Sequence, residues 1–139
     1  MRLSCRMLSD VQSANSFEHV DVLKLNEGDA PTVYIQLVDL DRDKASDGFK
    51  PSGRRYMPPV ASTLQVVLDH IDTAKKVTRA ATQPFSQDAS IWSIALATTD
   101  YIRGTITVRL QLTETSPARV LRGAAIAAIR ASAADAWEA

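Results

Sequence analysis

Between Thr105 and Leu112 the chain alternates without a break between polar and aliphatic side chains. Successive side chains of a β-strand point to opposite faces of the sheet, so this pattern predicts a strand with one face in the core and one in water. A second run, Ile91–Leu96, alternates in the same way, and a polar break at residues 98–100 separates the two. Together they predict a β-hairpin over residues 91–114.

Four further runs of this kind precede the hairpin: His19–Leu25, Thr32–Val38, Thr63–His70 and Lys75–Ala81. In the second of them, Val33, Ile35 and Leu37 are expected to point inward. Gln36, between two of these, is expected to point outward. Six short strands at spacings of about ten residues indicate an all-β domain, either an antiparallel sandwich or a barrel. We predict an antiparallel β-sandwich, Ig-like or jelly-roll-like, over residues 18–131.

The two ends of the chain carry weaker patterns. Residues 1–17 are polar and predict an extended arm that orders against a partner. Ala118–Ala139 is rich in alanine, a strong helix former, yet its larger apolar side chains do not gather on one helical face. Pairing back onto the Thr105–Leu112 strand favours a strand over residues 119–131 rather than a helix. A loose or helical tail is expected at 132–139.

Size and charge restrict the class of protein. The chain has 139 residues, with 16 Lys and Arg against 16 Asp and Glu, which suits one domain with its own core. Balanced charge disfavours nucleic-acid binding as the main task, because such proteins normally carry a basic excess. We find no secretory signal and no membrane span in the sequence, and expect folding in a reducing cytoplasm. Cys5, the single cysteine, is predicted to be a free thiol near a mobile N-terminus, with an intermolecular bond as the alternative.

A polar connection of about 20 residues, 39–59, is the predicted interaction loop, because loops of this length are usually functional. Its alternating aspartates look like the start of a calcium loop; they are Asp39, Asp41, Asp43 and Asp47. Lys44 and Lys50 stand where an EF-hand has Gly and Glu, and they would repel a cation. A solvated acidic loop is the favoured interpretation, and a looser Ca²⁺ site is the alternative.

The same connection contains one compact basic and aromatic cluster, Arg54, Arg55 and Tyr56. Arginine and tyrosine are favoured anchors at protein interfaces, and they also suit phosphate contact and base stacking. Since no wider basic face accompanies the cluster, contact with another subunit is favoured over nucleic acid. A solvated loop is the remaining alternative.

Residue types that carry catalysis do not converge in this sequence. His19 and His70, the only histidines, lie in separate predicted strands without the spacing of zinc ligands. Asp69, His70 and Asp72 are not accompanied by the strand–turn–helix elbow that positions a nucleophilic serine. The five glycines are scattered and form no phosphate loop. We therefore predict a non-enzymatic protein without catalytic residues, metal or cofactor.

Three segments together resemble a known class of proteins. They are Val22–Asp39, Phe85 with Asp88–Leu96, and Gly104–Glu114. Their combination is similar to small β-sandwich structural proteins of tailed bacteriophage virions. It is also similar to the N-terminal sandwich domains by which some phage baseplate and fibre proteins attach to the particle. The likeness covers residues 20–131, and no catalytic residue is carried over from it.

This resemblance implies a structural subunit located in the virion and assembled in the host cytoplasm. The implied partners are other virion proteins and copies of the chain itself, reached through the arm, the 39–59 loop and strand edges. A place in the tail, baseplate or neck is expected, with a capsid decoration protein as the alternative. The alternative from another class is a monomeric carbohydrate- or Ca²⁺-binding β-sandwich module.

Overall fold

The computed structural model describes residues 1–8, 23–42, 54–85, 87–115 and 117–132. Within these ranges the protein is all-β, with ten strands, a single 3-10 turn at Leu40–Arg42 and no α-helix. The strands are β1 (Leu3–Leu8), β2 (Leu23–Asn26), β3 (Thr32–Asp39), β4 (Arg54–Arg55), β5 (Thr63–His70), β6 (Lys76–Ala81), β7 (Ile91–Ala95), β8 (Gly104–Thr115), β9 (Ala118–Ala125) and β10 (Ile129–Ser132).

All ten strands belong to one hydrogen-bonded sheet, and this sheet closes on itself. Around the ring, the successive neighbours are β6, β5, β8, β9, β1, β3 and β7. Thr82 and Ser93 exchange two backbone hydrogen bonds with N–O distances of 3.0 and 2.7 Å, which join the end of β6 to β7. The other three strands extend this ring. The start of β8, which β9 does not reach, pairs with β10, and β10 pairs in turn with β2. The end of β3, which β7 does not reach, pairs with β4.

The longest strand, β8, has neighbours along both edges, β5 on one side and β9 followed by β10 on the other. Its inward-facing side chains are all buried; they are Ile106, Val108, Leu110, Leu112 and Glu114. The predicted inward residues of β3, Val33, Ile35 and Leu37, are also buried, with 0% exposure. These rows form the hydrophobic core inside the ring, whose burial is the main favourable term in folding.

Most of the strand predictions are confirmed. The runs predicted at Thr32–Val38, Thr63–His70, Lys75–Ala81 and Ile91–Leu96 correspond to β3, β5, β6 and β7. The alanine-rich segment forms β9 and β10 rather than a helix, and Thr115 lies opposite Ala118 where β9 turns back onto β8. The run at His19–Leu25 is described only from residue 23, where β2 begins, and residues 133–139 lie outside the described ranges.

The hairpin predicted over residues 91–114 is wrong. Both of its strands exist, but β7 pairs with β3, whereas β8 pairs with β5, β9 and β10. Alternation determines which face of a strand is buried and does not choose its partner strand. The sheet is also mixed rather than antiparallel throughout, since β1 runs parallel to β9 and β10 runs parallel to β2. Gln36, expected to point outward, is buried; on β3 it lies between Arg6 of β1 and Ile91 of β7.

The arm predicted over residues 1–17 is wrong for its first half. β1 lies between β3 and β9, and its alternate residues Leu3, Cys5 and Met7 are buried in the core. Cys5 is a free thiol, as predicted, but it is buried in the core and does not lie on a mobile terminus. This burial raises the pKa of the thiol far above its ordinary value. Residues 9–17 lie outside the part of the chain that the structure describes.

The contact between β1 and β9 depends on Gly123. A Cβ atom built on Gly123 would lie 1.9 Å from the carbonyl oxygen of Leu3, far inside van der Waals contact. Immediately beyond this point, Ser4 pairs with Ala124 and Cys5 with Ala125. Glycine is required here because any side chain would push the backbone of β1 away from β9.

We expect Gly123→Ala to lower the free energy of unfolding by about 2 kcal/mol or more, because the clash is with backbone that cannot rotate away. Urea unfolding followed by circular dichroism measures the change. Arg122→Ala, at the exposed position beside it, is the matched control and should stay within about 0.5 kcal/mol of the wild type. An unchanged urea midpoint for Gly123→Ala would contradict the pairing of β1 with β9.

Candidate functional site

The interaction residues predicted from the sequence, Arg54, Arg55 and Tyr56, lie together at one end of the ring. Arg54 and Arg55 form β4, which pairs with the last two residues of β3. The Tyr56 N–H then donates to the carbonyl oxygen of Leu37 at 2.9 Å. Backbone pairing to the sheet therefore fixes the main chain of these three residues, although the sequence suggested a loop.

A cleft of about 630 Å³ opens beside β4, and a volume of this size is typical of ligand pockets. Its walls come from β4, the end of β3 and the start of β9. The side chains that characterise it are Arg54, Arg55, Tyr56, Met57, Asp41 and Arg119. Arginine, tyrosine and methionine are the residue types that are enriched at protein interfaces.

A buried carboxylate, Glu114, lies beneath the cleft. It is the last inward-facing residue of β8, and its side chain has 0% exposure. Tyr56 Oη donates a hydrogen bond to Glu114 Oε2, and Arg119 Nε donates to Glu114 Oε1. Arg119 Nη2 also donates to Tyr56 Oη at 3.1 Å. We call these three residues, Tyr56, Glu114 and Arg119, the Glu114 cluster.

The Glu114 cluster compensates the buried negative charge of the Glu114 carboxylate. A buried carboxylate is costly unless an opposite charge compensates it and hydrogen-bond donors occupy its oxygens. Arg119 supplies the charge and one donor, and Tyr56 supplies another donor. Burial and the hydrogen bond to Glu114 raise the pKa of Tyr56, and the hydrogen bond to Glu114 raises the pKa of Arg119. The phenol therefore stays protonated and the guanidinium stays charged around neutral pH.

Sequence reasoning identified Tyr56 and missed its two partners. A signal was present, because Glu114 continues the inward-facing series of β8, where a carboxylate is out of place. A charged residue in an otherwise apolar inward row indicates a buried ion pair. Arg119 lies directly opposite Glu114 across the β8–β9 pairing, but only knowledge of that pairing reveals it.

Two of the four aspartates suggested for Ca²⁺ already have protein donors. Asp39 is buried, and its Oδ1 accepts backbone N–H groups from Arg2 at 3.1 Å and Asp41 at 3.0 Å. The carboxylate of Asp41 lies 3.2 Å from the chain's amino-terminal group. Asp43 and Asp47 lie outside the described residues. Within the described residues, no group of three or more His, Cys, Asp and Glu is placed to hold a metal ion.

His70 has a structural role at the turn between β5 and β6. Its Nδ1 lies 3.1 Å from the carbonyl oxygen of Lys75, and its Nε2 lies 3.2 Å from the N–H of Ile102. This arrangement places the proton on Nδ1 and leaves Nε2 as the acceptor, so both ring nitrogens are occupied. The neighbouring Asp69 pairs instead with Arg109, with an N–O distance of 3.2 Å. The other histidine, at position 19, lies outside the described part of the chain.

A second ion pair, Arg79 with Asp100, joins β6 to the connection between β7 and β8. The Asp100 carboxylate is 3% exposed and accepts hydrogen bonds from the guanidinium of Arg79. It also accepts the backbone N–H of Ala97 at 2.7 Å. Hydrogen bonding to Arg79 lowers the pKa of Asp100 below its ordinary value. The sequence indicated only a turn at this position.

We expect Asp100→Asn to lower the free energy of unfolding by about 1–3 kcal/mol at pH 7. Because the pKa of Asp100 is lower in the folded state, the wild type is more stable than Asp100→Asn at every pH above the unfolded-state pKa. This advantage is lost as pH falls through the folded-state value, in a window below about pH 4. Urea unfolding of both proteins across this range measures the difference, with Asp72→Asn, at an exposed carboxylate, as the control. A constant difference down to pH 3 would contradict the assigned role.

We expect Tyr56→Phe to lower the free energy of unfolding by about 1 kcal/mol or more, since the buried Glu114 carboxylate loses a donor. Urea unfolding at pH 7 measures it. Tyr34→Phe is the matched control, because no hydrogen bond of the Tyr34 hydroxyl is found among the described residues. Its side chain instead stacks on Phe85 with ring centroids 6.2 Å apart. Equal stabilities of the two variants would show that the Tyr56 hydroxyl contributes nothing to compensating Glu114.

Comparison of the chain with protein-family models, with curated proteins and with solved structures gives no match. Within the described residues, no helix has the length and the apolar character needed to cross a membrane. The cleft beside β4 has the residue composition of a binding surface, and the Glu114 cluster holds part of that surface in position.

Proposed function

We propose that this protein is a non-enzymatic structural subunit of a tailed-phage virion, in the tail, baseplate or neck, and that it binds a neighbouring subunit through the cleft. The observation that carries the binding role is the convergence of Arg54, Arg55 and Tyr56 with Arg119 and Met57 around one concave surface. Arginine and tyrosine dominate the binding energy of many interfaces. The phage context is supported by the resemblance of the sequence.

The rigidity of the cleft supports a role in assembly. Hydrogen bonds hold both Tyr56 and Arg119 on the buried Glu114, so these two side chains would lose little conformational freedom on binding. Met57, in contrast, is 61% exposed and would gain by burial against a partner. A preorganised polar centre next to an exposed apolar side chain is a favourable arrangement for docking.

We further propose that the ring of strands is flattened into the two facing layers of an Ig-like or jelly-roll-like β-sandwich. In this arrangement the closed sheet would leave few strand edges for neighbours, so docking would use side chains at the end of the ring. Residues 3–8 are part of the sheet and do not serve as an arm. A capsid decoration protein is the alternative location, and it would use the same surface.

Purified particles of the source phage provide the test. The double variant Arg54→Ala/Arg55→Ala is expected to fold normally, because both side chains are exposed, and to enter particles at least about tenfold less well than the wild type. Quantitative mass spectrometry of the particles and the melting temperature of the free protein measure the two properties. The matched control is Arg122→Ala/Arg130→Ala, two exposed arginines outside the cleft.

Two outcomes would contradict the proposed function. One is the absence of the wild-type protein from purified particles. The other is normal incorporation of Arg54→Ala/Arg55→Ala. If the wild type is absent from particles and Ca²⁺ or a glycan raises its melting temperature, the result would favour the ligand-binding module instead.

A further inference from the structure

We infer that the cleft recognises an acidic peptide segment, so that the partner presents carboxylate side chains to Arg54 and Arg55. This inference rests on the proposed function and specifies the chemistry of the neighbouring subunit. The inference is based on a comparison of the charged groups of the cleft. Some are already paired with described residues of the chain, and others are not.

The three arginines of the cleft differ in this respect. Arg119 is paired with the buried Glu114. Arg55 is 46% exposed, and its ion pair among the described residues is a long contact of 3.7 Å to Asp88. Arg54 is exposed, and no hydrogen bond or ion pair of its side chain is found within the described part of the chain. Two guanidinium groups of the cleft thus retain donors for an incoming group.

The acidic residues in and beneath the cleft, in contrast to Arg54, already have partners within the chain. Asp39 is buried and already accepts two backbone N–H groups on one oxygen. Asp41 lies beside the amino-terminal group. Glu114 is buried beneath Tyr56 and Arg119. The carboxylates near the cleft therefore have donors of their own, whereas no described residue accepts a hydrogen bond from the side chain of Arg54.

The chemistry of these groups favours a carboxylate as the ligand. A guanidinium presents its donors in a planar fork that matches the two oxygens of a carboxylate. Tyr56 and the exposed Met57 add an aromatic and an apolar surface, on which the aliphatic part of a glutamate side chain can lie. A phosphate also fits a guanidinium, but proteins that bind nucleic acids normally carry a basic excess, and this chain has equal numbers of basic and acidic residues.

Fluorescence anisotropy with a labelled hexaglutamate peptide and the full chain tests this inference. We expect saturable binding at about 50 mM NaCl that weakens at about 500 mM, as ionic contacts require. Arg54→Ala should raise Kd at least about tenfold, the loss expected for a charge-assisted bidentate contact. Arg55→Ala should raise it less, because Arg55 already contacts Asp88. Arg130→Ala, outside the cleft, is the control and should bind as the wild type does.

Three results would overturn the inference: no saturable binding of hexaglutamate, equal binding of hexaglutamine, or tighter binding of a thymidine hexanucleotide. Melting temperatures of the variants confirm that each is folded. Particle incorporation separates this inference from the proposed function. If the wild-type protein enters particles, Arg54→Ala/Arg55→Ala does not, and the wild type fails to bind hexaglutamate, the acidic ligand alone is rejected. Binding of hexaglutamate by a protein that is absent from particles supports the acidic ligand and rejects the virion role.

Discussion

The compensation of one buried charge determines the arrangement of the end of the protein where the cleft lies. Glu114 ends an inward-facing row of β8 that is otherwise aliphatic, and its carboxylate has no access to water. Such a group is tolerated only where a cation and further donors reach it. Arg119 reaches it because β9 folds back directly onto β8. Tyr56 reaches it because β4 is paired to the end of β3, and this pairing also places Arg54 and Arg55 beside the cleft.

Closure of the sheet is the second constraint, and it depends on contacts between distant parts of the chain. The Ser4 hydroxyl donates to the carbonyl oxygen of Ala124, 120 positions away, and β1 completes the path from β9 to β3. Gly123 allows this approach because it carries no Cβ atom. The ring can therefore close only after both ends of the chain are available, and such non-local pairing is typical of slowly folding β proteins.

These two constraints connect the fold to the proposed activity. The ring positions one end of β3, β4 and β9 around a shared cleft, and the Glu114 cluster orders its polar centre. Arg54 and Arg55 lie beside that centre without the strong pairing that restrains Arg119. In the proposed interaction, this ordered centre and the arginines beside it would select an acidic partner by charge and shape together.

Local properties of this chain were readable from its sequence. Strict alternation identified β3, β5 and β8 and the buried faces of each, because the period of a strand is a property of neighbouring residues. The lack of an apolar helical face and a short return onto β8 placed the alanine-rich segment in a strand. Residue type singled out Arg54, Arg55 and Tyr56. Which strand pairs with which could be known only from the tertiary structure. Alternation carries no information on pairing, so the β7–β3 contact, the insertion of β1 and the meeting of Tyr56 with Glu114 were decided only when the whole sheet closed.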